Sequence, residues 1–560
     1  MEATVLSREE NIKELTSGLN SMSLENEFLK SNESNFNVLL EKVSLLHESL
    51  NDKGLNPKFE VDKFSYNDVL KDIVIPEKGK SSEKVFEDLA ELFEGSIRTQ
   101  SPYSLFNMVP SPLIDTVAAS TITQLYNTNS LMDSFGGKVL LFEQKIARMI
   151  GKLAGWDNSY GISCNGGKLT LLYAVKSAIS KINPNSRNEG IDQNLVVLTN
   201  ESSHYCVEHV CSILGIGSNN CIRIKSEDGW KMDRESLLNT IEEQHEKGKK
   251  IAAIICAGGT TINFACDDTV GVYDSVKDLF EKNNQDYFPY FHLDSVIGWL
   301  WLNFMGLSED EWNEKVSDEK IKTKIKEVVN RIEGVSNFDS FGVDMHKNGL
   351  CPYSTSMFVS KTDDNFDYLN DGNYSYGESD YEFGNFRAYR YTFENSRPAT
   401  GIVTSWVAMN RLGREGFQDY LVKLHSMSEE LKNKLEENER ISIINNSLGW
   451  EIVFTIDFNK IETLFNESYE NIAKVFMQYC WDEVNAGEVI PLISIVPEYK
   501  IYPGDINHTA FLIFPMSMYL DNEIIDEIVD KLDSTITRFE EKVLSRQITV
   551  GQVNFEKPIR

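Results

Sequence analysis

The sequence is short of positive charge. Its 560 residues carry 55 Lys and Arg against 86 Asp and Glu, so the formal charge is 55 − 86 = −31. Proteins that neutralise nucleic-acid phosphates carry basic patches, and anionic membrane surfaces select for the same, so the deficit argues against both classes of partner. It is compatible with a small ligand held in a local site. The eight cysteines are scattered, with no C-x-x-C pair. That gives no metal-site signature and suits a reducing compartment better than a disulfide framework. No apolar run reaches the roughly 18 residues that span a bilayer. The N-terminus, MEATVLSREENIKEL, has neither a basic n-region nor an apolar h-region and does not read as a secretory signal. A cytoplasmic protein is expected. Internal repeats and low-complexity tracts are also missing.

What is present is globular. Hydrophobic residues make up 41% and aromatics 11%, which separates the chain from disordered ones. The length implies two or three domains. Residues 1 to about 85 are polar and helix-prone. Further on, short β-branched runs are each followed by a loop and a helix-period stretch: LVVLT at 195–199, IAAIIC at 251–256, YFHLD at 290–294. Strands alternating with helices predict βαβ units and a parallel sheet. After residue 400 the pattern turns to one or two long helices and then to mixed strands and helices. The expected division is 1–105, 106–400 and 401–560.

In a parallel sheet ligands sit beyond the carboxyl ends of the strands, so the residues after each run are the ones to inspect. Gly166 and Gly167 open a helix whose apolar positions 172, 175 and 179 fit the helical period. Such a start is either an ordinary glycine turn or an anion cradle of backbone N–H groups, with Lys168 adding a cation. His204 follows a strand end and is either a structural histidine or a ring facing the cleft. Asp294 ends an apolar run and is either a helix N-cap or a cleft carboxylate in need of a positive partner. His346 and Lys347 sit in DSFGVDMHKNGLCPYSTSMFVSK, between two apolar pieces. Taken together, a glycine cradle, a flat histidine, a carboxylate and a lysine are what a pyridoxal phosphate site requires, since a lysine amine condenses with an aldehyde.

These segments resemble the group II pyridoxal-phosphate-dependent amino acid decarboxylases. DSFGVDMHK is similar to that family's Asp-Ser…His-Lys segment, HLDSVIGW to its His-Val-Asp-Ala-Ala segment with Ser295 for the first alanine, and SSHYCVEHV to its Ser-x-His-x-Ser-Val segment. The resemblance implies fold type I: an α/β chain with a mostly parallel seven-stranded sheet, an N-terminal helical segment and a small α+β C-terminal domain. It implies Lys347 as the Schiff-base lysine, Asp294 as partner of the pyridine nitrogen and His204 stacked on the ring. Gly166, Gly167 and Lys168 would hold the phosphate, with His346 nearby. Thr260, Thr261 and Ser295 would line the cofactor, and Arg397 in FENSRPATG would lie near the substrate. Departures are Lys168 and Leu169 where the family has hydroxyl and acidic residues, and the extra piece LSEDEWNEKVSDEKIKTKIKEVVNRIEG, read as a lid or a dimer element.

The implied activity is α-decarboxylation of an L-amino acid to a primary amine and CO₂. The family uses a tyrosine on a loop after the lysine as proton donor. Tyr368 is the expected one, with Tyr374 and Tyr376 behind it. Met108 and Val109 occupy the stretch that brings residues to the substrate in relatives, and point to an aliphatic substrate, valine- or leucine-like. The resemblance also implies a homodimer with active sites at the interface. A carbon–carbon lyase of the sphingosine-phosphate lyase type and a non-catalytic protein of the same fold are the alternatives.

Overall fold

The computed structural model describes residues 28, 36–50, 54–71, 73–370, 372, 386–501 and 507–551. The chain enters through α1 (Phe36–Ser49) and α2 (Ser82–Glu91), then α3 (Ile114–Leu125) and α4 (Val139–Leu153). A βα alternation follows. It comprises β1 (Tyr160–Cys164), α5 (Gly167–Ile182), β2 (Leu195–Asn200), α6 (Cys206–Ile213), β3 (Cys221–Ile224), α7 (Arg234–Glu246), β4 (Lys250–Ala257), α8 (Thr269–Lys282) and β5 (Tyr290–Asp294). After β5 come α9 (Glu309–Lys315), α10 (Glu319–Ile332), β6 (Ser340–Asp344) and β7 (Ser356–Ser360).

These strands make one seven-stranded sheet in the order β1-β7-β6-β5-β4-β2-β3. β6, β5, β4, β2 and β3 run parallel, and β7 is antiparallel to both of its neighbours. The mostly parallel, seven-stranded α/β arrangement is the one expected. Side chains alternate between two cores, because successive strand residues face opposite sides. Leu195 and Val197 join the cluster under α5 and α6, whereas Val196 and Leu198 join the larger cluster on the other side. Both faces are buried, so the strands read as unbroken apolar runs.

A buried carboxylate ties two strand ends together. Asp267 accepts from Asn200 Nδ2, Met232 N and Ala257 N, each at 2.7 Å. Burial still pushes its pKa up to about 6, against those hydrogen bonds. This fixes the carboxyl ends of β2 and β4, from which His204 and Thr260 project.

The second sheet has four strands, β8 (Ile441–Ile443), β9 (Ile452–Ile456), β10 (Ser494–Lys500) and β11 (Asn507–Ile513), in the order β10-β11-β9-β8. It packs with α12 (Tyr469–Asn485) and α13 (Asn522–Leu544). The connection is α11, Thr400–Glu436. Gly413 (φ 62, ψ −175) breaks its helical geometry, so the stretch is two helices joined at a kink. The 305–335 piece, expected as a lid or a dimer element, packs on the body of the chain. Lys315 pairs with Glu415, and Lys320 and Lys324 both reach Glu429 at 2.5 Å. Trp312 and Ile325 are buried in the common core. Charge pairs and core contacts on two faces hold α9 and α10 against α11.

Candidate active site

Five strands, β1, β2, β4, β5 and β6, end toward the same edge of the sheet, and the residues singled out in the sequence follow those ends. Asp294 and Asp344 are the last residues of β5 and β6. Lys347 lies on the turn after β6, and its Nζ sits 2.9 Å from Asp344 Oδ2. The lysine side chain is 20% exposed and the Asp344 side chain 2%. Burial opposes the ammonium charge, but Asp344 outweighs it, with Asp294 adding to the effect, so the Lys347 pKa is raised.

Asp294 behaves differently. Burial pushes its carboxyl up to about 6, Lys347 pulls it down and Asp344 pushes it up again. Its Oδ1 is buried and has no hydrogen-bond partner. A buried carboxylate oxygen without a partner is costly unless a ligand supplies one.

Gly166 caps α5 with φ 100, ψ 152, a conformation that side chains disfavour. A Cβ at Gly167 would lie 2.9 Å from Val296 Cγ1 and 3.2 Å from both Asp344 carboxylate oxygens. The two glycines therefore open the first turn of a 16-residue helix beside Lys347. Lys168 reaches across to α6, with Nζ 2.7 Å from His209 Nδ1. His204 is exposed at the cleft edge; partial burial, then the positive charge of Lys347, lower its pKa. His346 is buried, its Nδ1 2.8 Å from Thr355 O, and burial lowers its pKa against the pull of Asp344.

Other expected residues take structural roles. Thr260 Oγ1 accepts from Ala265 N at 2.9 Å and closes its own turn, with Thr261 partly exposed beside it. Ser295 is fully buried and its Oγ donates to Gly342 O at 2.8 Å, joining β5 to β6. Met108 belongs to the apolar core at 3% exposure, so it does not line a pocket as expected. Val109 is half-buried. The segment after it does reach the site turn: Leu113 N and Thr116 Oγ1 both donate to Leu350 O.

Arg397 is held by a carboxylate. Its Nη1 and Nη2 hold Glu143 at 2.7 and 3.1 Å, and they also donate to Ser163 O and Ser130 O. Both groups are buried, so the two terminal nitrogens already have a carboxylate and two carbonyls as partners, while Nε has none. We expect Arg397→Ala to destabilise the protein by about 3–5 kcal/mol, because it strands the Glu143 charge. Thermal and urea unfolding check this.

Tyr368 lies away from Lys347 of its own chain. It lies near Asp339 and Asp364 and packs on the α5 side of the sheet. Asp339 precedes β6 and pairs with Lys181 in the last turn of α5. Tyr368 is thus at the opposite end of β6 from Lys347 and does not approach that lysine in its own chain. Tyr374 and Tyr376 lie outside the described residues.

Sequence reasoning passed over Asp344. The signal was available: it ends a strand as Asp294 does, three residues before the lysine. Among the described residues no cluster of His, Cys, Asp and Glu is placed to hold a metal, and no helix is long and apolar enough to cross a membrane.

Residues 65–295 match the pyridoxal-dependent decarboxylase conserved domain. Glutamate decarboxylase of Drosophila melanogaster is 26% identical over 233 residues, 41% of this chain and 44% of that protein. Acidic amino acid decarboxylase GADL1 of Xenopus tropicalis is 28% identical over 232 residues, 41% and 44% of the two chains. The chain thus spans under half the length of these curated relatives. Mouse CSAD superposes with a TM-score of 0.72 at 16% identity, covering 89% of this chain and 98% of the other. Oryza sativa TDC, solved with PLP and tryptamine, gives 0.72 at 13% identity, covering 91% and 99%. At these identities the structures show the fold.

The residues fit pyridoxal 5'-phosphate. A primary amine, an orphaned carboxylate oxygen, a histidine ring and a glycine-opened helix start converge at one sheet edge.

Proposed function

We infer that this chain is a pyridoxal-phosphate-dependent L-amino-acid α-decarboxylase releasing CO₂ and a primary amine. The observation that carries this is the Lys347 amine between two carboxylates, one of which, Asp294, has a buried oxygen with no partner. Bound there, the cofactor supplies an electron sink for the bond being broken. The chain's residues do the rest. Lys347 holds the cofactor, Asp294 keeps a proton on its ring nitrogen, His204 covers the ring, and Gly166, Gly167 and Lys168 hold the phosphate. The proton donor at Cα is sought among the tyrosines of residues 371–385, or in Tyr368 of a second copy.

The substrate side chain is a finer matter. A valine- or leucine-like substrate keeps Val109 in its support, whereas Met108 no longer counts for it. Acidic amino acids are favoured by Lys168, which neighbours His204, and by the names of the curated relatives. A panel of L-valine, L-leucine, L-glutamate and cysteine sulfinate, with CO₂ and amine followed together, decides. We expect one class to exceed the others at least tenfold in kcat/KM. A cofactor band with no CO₂ from any amino acid would move the reading to a carbon–carbon lyase or a non-catalytic protein.

We propose that the enzyme acts as a homodimer, within the three-part division 1–105, 106–400 and 401–560. The support is exposed apolar surface: Ile73, Val74 and Ile75 are 72, 80 and 94% exposed, and Ile114 on α3 is 86% exposed. Patches of this kind mark interfaces. Ile75→Glu with Ile114→Glu is expected to shift sedimentation from about twice the 63.8 kDa chain mass toward one chain.

A further inference from the structure

We propose that Asp344 is the positioning residue for Lys347, holding its amine charged and aimed until the cofactor binds. This rests on the reading of Lys347 as the cofactor lysine.

The geometry divides two neighbouring carboxylates between two tasks. Asp294 has an oxygen to spare, as described above. Asp344 has none. Its Oδ2 takes the Lys347 ammonium at 2.9 Å, and its Oδ1 accepts from Ser356 Oγ at 2.5 Å. The Ser356 hydroxyl projects from β7, which pairs Ser356 directly with Asp344. The carboxylate is therefore locked from the strand beside it, and its remaining oxygen points at one lysine. His346 Nε2 stands 3.6 Å from Oδ2, too far for a hydrogen bond, so the lysine is the partner. Gly167 completes the seat, since a Cβ there would press on both Asp344 oxygens. The glycine that opens α5 thus makes room for Asp344 as well as exposing backbone N–H groups.

The charged and titratable groups facing Lys347 come from every side. They are Asp344 at the end of β6, Asp294 at the end of β5, Tyr353 on the turn toward β7, His346 beside it, and His204 and Cys206 beyond β2. Of these, Asp344 is the one in contact. Condensation of this amine with a carbonyl carbon, which releases water, would require a neutral Nζ, so Asp344 would hold the amine in place as the ammonium and let it go once the proton is lost. Besides burial, Asp344 also pushes the Asp294 carboxyl up.

The test uses the cofactor-free full chain. Its lysines are methylated reductively with ¹³C-formaldehyde, and the NMR signal absent from Lys347→Arg is assigned to Lys347 and titrated. Wild type is expected to titrate above 10.5, the ordinary lysine value. Asp344→Asn is expected to lower that midpoint by about 1–3 units, the usual effect of losing one opposite charge in contact. Ser356→Ala leaves the charge but unlocks the carboxylate, and is expected to lower it by a smaller, measurable amount. Should Asp344→Asn fail to fold, Ser356→Ala carries the test. A Lys347 midpoint unmoved in the folded variants would overturn the proposal. In parallel, pyridoxal phosphate is added to wild type. Failure of an absorbance band to form there would sink the reading of the site, while the lysine titration would still report on Asp344.

Discussion

Lys347→Ala is expected to abolish CO₂ release from every amino acid, a fall on the order of 10³-fold or more. The lysine sits at the carboxyl edge of the sheet, 20% exposed and in contact with Asp344. No other described lysine has that setting: Lys168 is engaged with His209, and Lys181 pairs with Asp339 at the far end of β6. The loss has two physical parts. One is chemical, because alanine has no amine to hold the cofactor. The other is electrostatic, because Asp294 and Asp344 are left facing each other without the cation between them, which weakens folding. Lys347→Arg separates the parts. It keeps a cation for Asp344 but has no primary amine, so it is expected to fold well and remain inactive. CO₂ release from carboxyl-labelled substrates and thermal unfolding of both variants check the pair. Activity retained in Lys347→Arg would place the reactive amine elsewhere.

Asp294→Asn lowers CO₂ release on the order of 10²-fold or more, since a charge aimed at the reacting group is lost. It also changes stability in the cofactor-free protein, and the sign is informative. Burial raises the folded-state carboxyl from 3.8 to about 6. The folded state thus binds the Asp294 proton more tightly than the unfolded state does. Its contribution is favourable below about 3.8, is lost between about 3.8 and 6, and is missing above. Asparagine carries no charge to bury. The variant should therefore melt higher than wild type at pH 8, with the advantage shrinking toward pH 4. Scanning calorimetry across that range checks it. A variant equally active, or less stable at pH 8 than at pH 4 relative to wild type, would show that Asp294 is not the strained cleft carboxylate described.

Much of this was legible in the residues. The β-branched runs at 195–199, 251–256 and 290–294 became β2, β4 and β5, because strands buried on both faces leave an uninterrupted apolar signature. Gly166, Asp294 and Lys347 were visible because each follows such a run. Side-chain partners were not legible. Arg397 looks like a substrate anchor until Glu143, 254 residues away in sequence, is seen to hold it. Met108 reads as pocket lining until it is found in the core. Tyr368 was assigned by its loop's composition, but the position depends on α5 and β6 packing that no local pattern encodes. Asp344 was passed over because DMHK draws attention to the histidine and lysine, while the role of the aspartate depends on Ser356 across the β6–β7 pairing and on Gly167 across the site.

The central claim is that Lys347 carries pyridoxal phosphate. The direct measurement is borohydride reduction of the cofactor-loaded protein, followed by proteolysis and mass spectrometry. The account predicts one pyridoxyl phosphate mass added on the peptide containing Lys347, and none on the peptides containing Lys168 or Lys181. A label on another lysine, or no label from a protein that nevertheless releases CO₂, would contradict it.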